Sequence, residues 1–207
     1  MIELFVSAFI TFFVVIDPPG CAPIFASLTQ GTSAAHRRAM AVRSVLIASA
    51  ILIFFGLLGE DLLRALGVSL HAFKIAGGIM LFLIALEMVF EKRQERRSNR
   101  AEEVMKDGEA EDISVFPMGI PMIAGPGSIA SLMLLMARNE GMTATLAVLG
   151  ALAAVLLLTL AALLAAGPLM RLVGPKIEGM VTRLLGVILA ALAVQFVLDG
   201  IEASLIA

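Results

Sequence analysis

The chain has 207 residues, of which 60% are hydrophobic and only 15% are charged, and its mean hydropathy is +1.00. Soluble domains carry about 25% charged residues, so this composition excludes a water-soluble domain and predicts a membrane protein. The formal net charge is −2, and with neither Trp nor Tyr the chain has no base-stacking aromatic cluster, which argues against a nucleic-acid partner.

Apolar stretches of about 20 residues, the length that crosses a bilayer, recur along the whole chain. No Lys or Arg precedes Arg37, so the first stretch lacks the basic start of a signal peptide and is expected to be retained. The stretches predict an all-α polytopic fold with spans at residues 4–29, 40–59, 70–90, 113–137, 143–166 and 181–201.

Residues 91–112 mix both charge signs and hold almost nothing apolar to bury. They are expected to form an exposed charged loop, or a solvated helix that extends the third span. Cytoplasmic connections are enriched in Lys and Arg, and of the 15 such residues only Arg64, Lys74 and Arg138 fall on the side opposite this loop. The loop is therefore predicted to be cytoplasmic, and both termini are predicted to lie outside the cytoplasm.

The two halves of the chain resemble each other. Residues 18–23 (PPGCAP) align with residues 121–126 (PMIAGP) at an offset of 103, and two later matches follow in the same order at offsets of 107 and 109. Three spans per copy is an odd number, so the second copy is expected to enter the membrane inverted, as in many secondary transporters. The predicted domains are a first three-helix repeat over 1–90, the charged cytoplasmic loop over 91–112 and a second repeat over 113–207.

Prolines and glycines interrupt the first and fourth spans, and each proline removes a backbone donor and breaks the helix. Unwound backbone survives in hydrocarbon only where protein buries it or where it lines a wet cavity. Two breaks in corresponding places are typical of a transporter's binding site, although such residues also kink membrane helices simply for packing. The predicted substrate-binding residues are Asp17, Pro18, Gly20, Cys21, Pro23, Gly125, Pro126, Gly127 and Ser128.

The half-helices that follow the breaks, near residues 22–29 and 128–135, are expected to aim free N–H groups and a positive dipole end at the membrane midplane. That arrangement suits a carboxylate, whereas the carbonyls that end the preceding half-helices suit an ammonium or a coupling cation. A small zwitterionic solute is therefore the expected ligand. Ser128 either contacts this ligand or bonds back to its own helix.

Asp17 is the most informative ionisable residue, because a carboxylate near mid-membrane is costly unless it is protonated, paired or hydrated. It is a candidate to bind a coupling ion, to exchange a proton or to contact a substrate ammonium, and otherwise it caps the broken helix. At an offset of 103 its counterpart is Ile120, so the site is expected to be asymmetric. Glu87 is a second coupling-ion candidate, unless it extends toward the cytoplasmic charges. Cys21, the single cysteine, excludes an internal disulfide and is typical of a small apolar filler.

Over nearly its whole length the chain resembles the MarC family of bacterial and archaeal membrane proteins. The resemblance is carried by residues 16–20 (IDPPG) with Pro23, and by residues 121–128 (PMIAGPGS). It implies six helices in an inner membrane, a distant relationship to LysE-type exporters and, as described for some members, transport of small neutral amino acids such as glycine and alanine. The family usually carries Asn where this chain has Cys21, so the resemblance does not extend to a polar ligand contact at that position.

The leading functional hypothesis is a secondary transporter of small neutral amino acids, coupled to a proton or a sodium ion, with its site between the two breaks. A passive channel and a non-transporting scaffold or accessory subunit are the alternatives. An enzyme is not expected, because a nucleophilic Ser128 would need a base and both His36 and His71 lie outside the apolar stretches. No cofactor or metal is predicted. The expected partners are the solute and the lipid bilayer, with a homo-oligomer left open.

Overall fold

The computed structural model describes residues 1–93, 95–99, 112–139 and 141–206, without the side chains of 169–178 and 206. Within these ranges the regular structure is helical, which confirms the all-α prediction. The elements are α1 (Ile2–Ile16), α2 (Pro18–Leu28), α3 (Ala34–Ala65), α4 (Leu70–Val89), a π-helical segment (Ser114–Ile123), α5 (Pro126–Arg138), α6 (Met142–Leu164) and α7 (Ala166–Ile206). Residues 92–93 and 95–99 are also helical and are called the arginine segment below.

Several of these helices are long and apolar enough to cross a membrane. Five candidate spans are Ile2–Leu28, Ala34–Ala65, Leu70–Val89, Met142–Leu164 and Gly179–Leu205. The π-helical segment and α5 together form a sixth, bent by 50° at the break between them. The chain is therefore a polytopic membrane protein with five spans, or six if the bent pair crosses as one, in agreement with the prediction.

Serine caps begin two of the spans. The hydroxyl of Ser33 accepts a hydrogen bond from the backbone N–H of His36 at 3.2 Å, and the hydroxyl of Ser69 accepts from Ala72 at the same distance. Each cap satisfies one of the N–H groups that a helix start leaves without a partner. These serines fix the starts of α3 and α4.

The broken first span lies inside the bundle rather than against lipid. In its most apolar window 56% of the residues are buried, against 28% for α3 and for α4. α1 packs against α6 and α5, while α2 packs against α6 and α7. Large apolar side chains on the other helices face outward, among them Leu46, Phe54, Leu83, Leu157 and Leu184. Such an outer surface suits a lipid environment, whereas the unwound backbone is kept among protein neighbours.

Glycines bring α4 and α7 together as an antiparallel pair. A Cβ on Gly78 would lie 2.8 Å from the carbonyl oxygen of Ala193, and a Cβ on Gly186 would lie 3.1 Å from that of Ala85. Small residues at such points let helix backbones approach closely in a membrane. The contacts of Gly78 and Gly186 are related by a shift of 108 residues, whereas the repeat predicted from the sequence aligns this region at an offset of 109. The repeat and its domain boundaries stay predictions.

Candidate functional site

The first break is one residue long, because Asp17 alone separates α1 from α2. It takes a left-handed backbone conformation (φ 59°, ψ 66°), ends α1 and caps α2, and its Oδ1 accepts from the N–H of Gly20 at 3.2 Å. Asp is one of the few residues other than glycine that adopt this conformation readily. A Cβ on Gly20 would lie 2.3 Å from Oδ2 of Asp17, so glycine leaves room for the carboxylate. The capping alternative for Asp17 therefore describes its observed geometry.

The prolines after Asp17 leave backbone carbonyls without their helical donors. Pro19 has no N–H to give to Val15, and the N–H of Gly20, which would normally serve Ile16, is taken by the Asp17 carboxylate. Two side chains replace the missing donors: the guanidinium of Arg93 donates to the Val15 carbonyl, and the Cys21 thiol donates to the Ile16 carbonyl at 3.4 Å. Cys21 is thus a hydrogen-bond donor at the break as well as an apolar filler.

The second break is longer. Phe116 and Ile120 have extended backbone inside the π-helical segment, and α5 begins only after Gly125. The Ser128 hydroxyl donates to the carbonyl of Ile123 at 2.7 Å, just as the Cys21 thiol donates to Ile16 at the first break. Ser128 therefore bonds back to the unwound backbone that precedes its own helix.

The structural counterpart of Asp17 is Gly125, and the predicted counterpart Ile120 is wrong. Asp17 and Gly125 are the caps of α2 and α5, and a proline follows each of them as the first helical residue. Their separation is 108 residues, in line with the register of α4 and α7. The offset of 103 paired Pro18, which begins α2, with Pro121 inside the second break, and it paired Pro23 inside α2 with Pro126, which begins α5. Both half-helices also begin earlier than expected, at Pro18 and Pro126.

Arg97 joins the two breaks. Its guanidinium lies 3.3 Å from Oδ2 of Asp17 and donates to the carbonyl of Met122, in the second break, at 3.4 Å. The side chain of Asp17 is 1% exposed and that of Arg97 is 11% exposed, so this is a buried ion pair. A carboxylate at this depth needs such a partner, and the arginine segment supplies it.

The expectation of an exposed segment after α4 is wrong for two of its arginines. Arg93 and Arg97 are four residues apart and so share one face of the arginine segment, which turns toward the breaks. Burial, and next the charge of Arg97, lower the pKa of Arg93 to about 9. Residues 100–111, which make up most of the predicted loop, lie outside the described residues.

Arg96 lies on the more exposed side of the same segment and forms an ion pair with Glu87. The Glu87 side chain is 22% exposed. Glu87 thus extends toward the charged residues that follow the third span, which is the alternative to its role as a coupling-ion site. Arg93 differs from its two neighbours, because among the described residues its partners are the Val15 carbonyl and the Met88 sulfur, and no carboxylate lies within ion-pair distance.

A cavity of about 490 Å³ opens between α4, the arginine segment and the second break. Its size is within the usual range of small-molecule sites. Its polar groups come from the three arginines, from Glu87 and from the start of α5. It is lined by Val15, Met80, Leu83, Ile84, Glu87, Arg93, Arg96, Arg97, Pro117, Pro121, Met122, Gly125, Pro126, Gly127 and Ser128. In the part of the chain that the structure describes, no group of three His, Cys, Asp or Glu residues is placed to hold a metal ion.

Comparison with known proteins identifies the family. The family model described as MarC family integral membrane protein matches residues 2–205. The chain belongs to the MarC family. It is 37% identical over 205 residues to a UPF0056 membrane protein of Methanocaldococcus jannaschii, with 99% of each chain covered.

Two further relatives of this MarC-family chain are similar over nearly their whole length. It is 36% identical over 202 residues to the UPF0056 membrane protein YvbG of Bacillus subtilis, covering 98% of this chain and 96% of the relative. It is 35% identical over 201 residues to the UPF0056 inner membrane protein YhgN of Escherichia coli, covering 95% of each. No solved structure matches the chain.

The structure of this MarC-family chain divides the predicted site residues into two groups. Gly125, Pro126, Gly127 and Ser128 line the cavity directly. The first-break residues do not line it, and Asp17 reaches it through Arg97. Pro18, Gly20 and Cys21 are buried behind Asp17, and Pro23 is half-buried within α2.

Sequence reasoning missed the three arginines that line the cavity. One signal was available, since Arg93 and Arg97 stand four residues apart directly after a span, which places them on one helical face. The dense mixture of charges around them concealed it.

Proposed function

We propose that this chain is a secondary transporter of small neutral amino acids of the glycine or alanine type, and not an enzyme. The observation that supports the proposal is the cavity at the second break, which presents guanidinium groups, a carboxylate and a helix N-terminus within one enclosure. A zwitterion carries one group of each sign, so it complements such a lining. The MarC resemblance supplies the amino-acid class.

The ammonium of the amino acid is assigned to Glu87, the carboxylate that lines the cavity. The carboxylate of the amino acid is assigned to the opposite wall, where α5 begins at Pro126. Unpartnered N–H groups and the positive dipole end of a helix stabilise an anion at this position. The two ends of the zwitterion are thereby held by different elements, and movement of one element relative to the other would release it.

Coupling is assigned to the ion pair of Asp17 and Arg97. A proton or a sodium ion on the Asp17 carboxylate would remove its attraction for Arg97 and free the arginine segment to move. Leaving one member of a buried pair without its partner costs about 3–5 kcal/mol, which shifts a conformational equilibrium by a factor of about 100 or more. The bound ion and the position of the arginine segment are in this way linked.

The proposed location is the inner membrane, which the name of the Escherichia coli relative gives for that protein. The positive-inside bias places the arginine segment on the cytoplasmic side, with both termini on the other side. The cavity then opens toward the cytoplasm in this conformation. Cysteine labelling of single-cysteine variants from either side of the membrane tests this orientation.

Counterflow in proteoliposomes tests the transport function. Liposomes preloaded with unlabelled alanine are expected to take up labelled alanine transiently above equilibrium, and Asp17→Asn is expected to lose the dependence on a proton or sodium gradient. Asp61→Asn is the matched control, because Asp61 is 71% exposed and lies far along α3. A channel would equilibrate label without counterflow, and a scaffold would bind no amino acid. Gradient-dependent uptake by Asp17→Asn would exclude the coupling role.

A further inference from the structure

The cavity carries an excess of positive charge among the described residues. Asp17 is paired with Arg97, and Glu87 is paired with Arg96. Arg93 lines the same cavity, but its hydrogen-bond partners within the described ranges are the neutral Val15 carbonyl and Met88 sulfur. A buried guanidinium with no carboxylate in contact is costly, and burial lowers the pKa of Arg93 although the more distant charges of Asp17 and Glu87 oppose the shift. The geometry therefore leaves one cation for an anion that the described residues do not provide.

The two half-helix starts also differ in negative charge, which is present at α2 and missing at α5. At α2 the Asp17 carboxylate caps the helix and also pairs with an arginine. At α5 the cap is Gly125, which has no side chain to accept a hydrogen bond. A Cβ on Gly125 would lie 2.4 Å from the carbonyl oxygen of Pro121, so a carboxylate side chain does not fit at that position. An acceptor for the N–H groups of Gly127 and Ser128 has to come from outside the helix.

We propose that Arg93 and the first amides of α5, those of Gly127 and Ser128, form a subsite for the carboxylate of the ligand. The bound carboxylate would take at α5 the place that Asp17 takes at α2: it accepts from the helix start and pairs with an arginine of the arginine segment. Paired, charge-assisted hydrogen bonds of this kind are the strong ones. The inference rests on the proposed function and deepens it, because it names the group that recognises the substrate.

One consequence concerns ligand selection. Since the uncompensated charge is on Arg93, the carboxylate is the group that the site requires, and the ammonium at Glu87 adds affinity. Propionate, which has the carboxylate of alanine without its amino group, is expected to bind measurably. Alaninamide, which has the amino group without the carboxylate, is expected not to bind.

Calorimetric titration of the purified full-length protein with these three compounds tests the subsite. Arg93→Gln is expected to weaken alanine and propionate by about 10- to 100-fold, the range for loss of a hydrogen bond to a charged group. Arg93→Lys keeps the charge and a donor and is expected to bind with intermediate affinity. Arg64→Gln is the matched control, because Arg64 is 73% exposed and pairs with acids on its own helix.

Arg93→Gln also removes the hydrogen bond to the Val15 carbonyl and could misfold for that reason. A second measurement therefore uses the wild-type protein. Phenylglyoxal modifies accessible arginines, and peptide mass spectrometry of the wild-type protein reads the extent at Arg93. Propionate is expected to slow modification at Arg93, whereas alaninamide is not. Protection by inorganic phosphate without protection by propionate would overturn the carboxylate assignment in favour of a phosphate site.

The outcomes separate the subsite from the function. If alanine binds Arg93→Gln as tightly as wild type, the subsite is wrong and the transport proposal stands. If propionate binds through Arg93 but alanine shows no counterflow, the subsite stands and the amino-acid transport proposal falls. If no carboxylate binds the wild-type protein, both are overturned.

Discussion

Arg97 pairs with Asp17 across 80 residues of sequence, with 3.3 Å between the guanidinium nitrogen and the carboxylate oxygen. The same guanidinium donates to the carbonyl of Met122, so one side chain connects the two interrupted spans. Asp17 at the same time caps α2. This pair therefore links the helix cap and the charge balance of the first break to a contact with the second break.

Arg97→Gln is expected to destabilise the protein strongly, because it leaves the Asp17 carboxylate buried without a counter-charge. Loss of one member of a buried pair costs about 3–5 kcal/mol. Thermal unfolding in detergent measures the change, with Arg64→Gln as the exposed control. The double variant Asp17→Asn with Arg97→Gln removes both charges and is expected to recover much of the loss. Additive losses in the double variant would contradict the pairing.

Cys21→Ala is expected to lower stability by about 1–3 kcal/mol, the cost of leaving a buried acceptor without its donor. The acceptor is the Ile16 carbonyl, whose usual helical donor is used by Asp17. Cys21→Ser keeps a donor of similar size and is the matched control, expected to unfold close to wild type. The measurement is the melting temperature of both variants. Equal losses in the two would show that Cys21 acts through packing alone.

Gly78→Ala is expected to disturb the pairing of α4 with α7. The added Cβ would lie 2.8 Å from the Ala193 carbonyl oxygen, a backbone atom that has little freedom to move. Overpacking of this kind costs about 1–3 kcal/mol. Gly150→Ala is the control, since Gly150 is also within a span and its Cβ would meet only Phe5 at 3.8 Å. Denaturant titration that finds Gly78→Ala as stable as Gly150→Ala would argue against the close contact.

Asp112 is expected to contribute a pH-dependent part of the stability. Hydrogen bonds from Ser114, followed by the contact with Arg43, lower the pKa of this carboxyl from its ordinary value of 3.8. A lowered folded-state pKa means that the unfolded chain takes up protons first, so stability is fully present above 3.8 and is lost as the pH falls through the lower, folded value.

Asp112→Asn is accordingly expected to unfold with a weaker pH dependence below pH 3.8 and to lose the ion pair with Arg43, 2.6 Å in length. Thermal unfolding as a function of pH makes the comparison. Glu60→Gln, which removes an exposed acid from an ion pair within α3, is the control. Parallel curves for wild type and Asp112→Asn in acid would rule out the shift.

The sequence alone determined that this is a membrane protein and where its helices are interrupted. An apolar stretch of bilayer length favours the membrane whatever the rest of the chain does. Prolines such as Pro18 and Pro126 remove a backbone donor at their own position. Both effects are local, so they can be predicted without knowing the fold. The sequence also singled out Gly125, Pro126, Gly127 and Ser128, which line the cavity, and their role in substrate binding stays a prediction.

Only the tertiary structure decided what satisfies the breaks. Arg93 and Arg97 lie in a stretch whose average polarity predicts solvent exposure, and nothing within it indicates that carbonyls at Val15 and Met122 lack donors. The hydrogen bonds to these carbonyls join groups 78 and 25 residues apart, and no local sequence pattern reveals them. The correspondence between Asp17 and Gly125 was also not visible in the sequence. The two residues hold the same position at a helix start but differ in type.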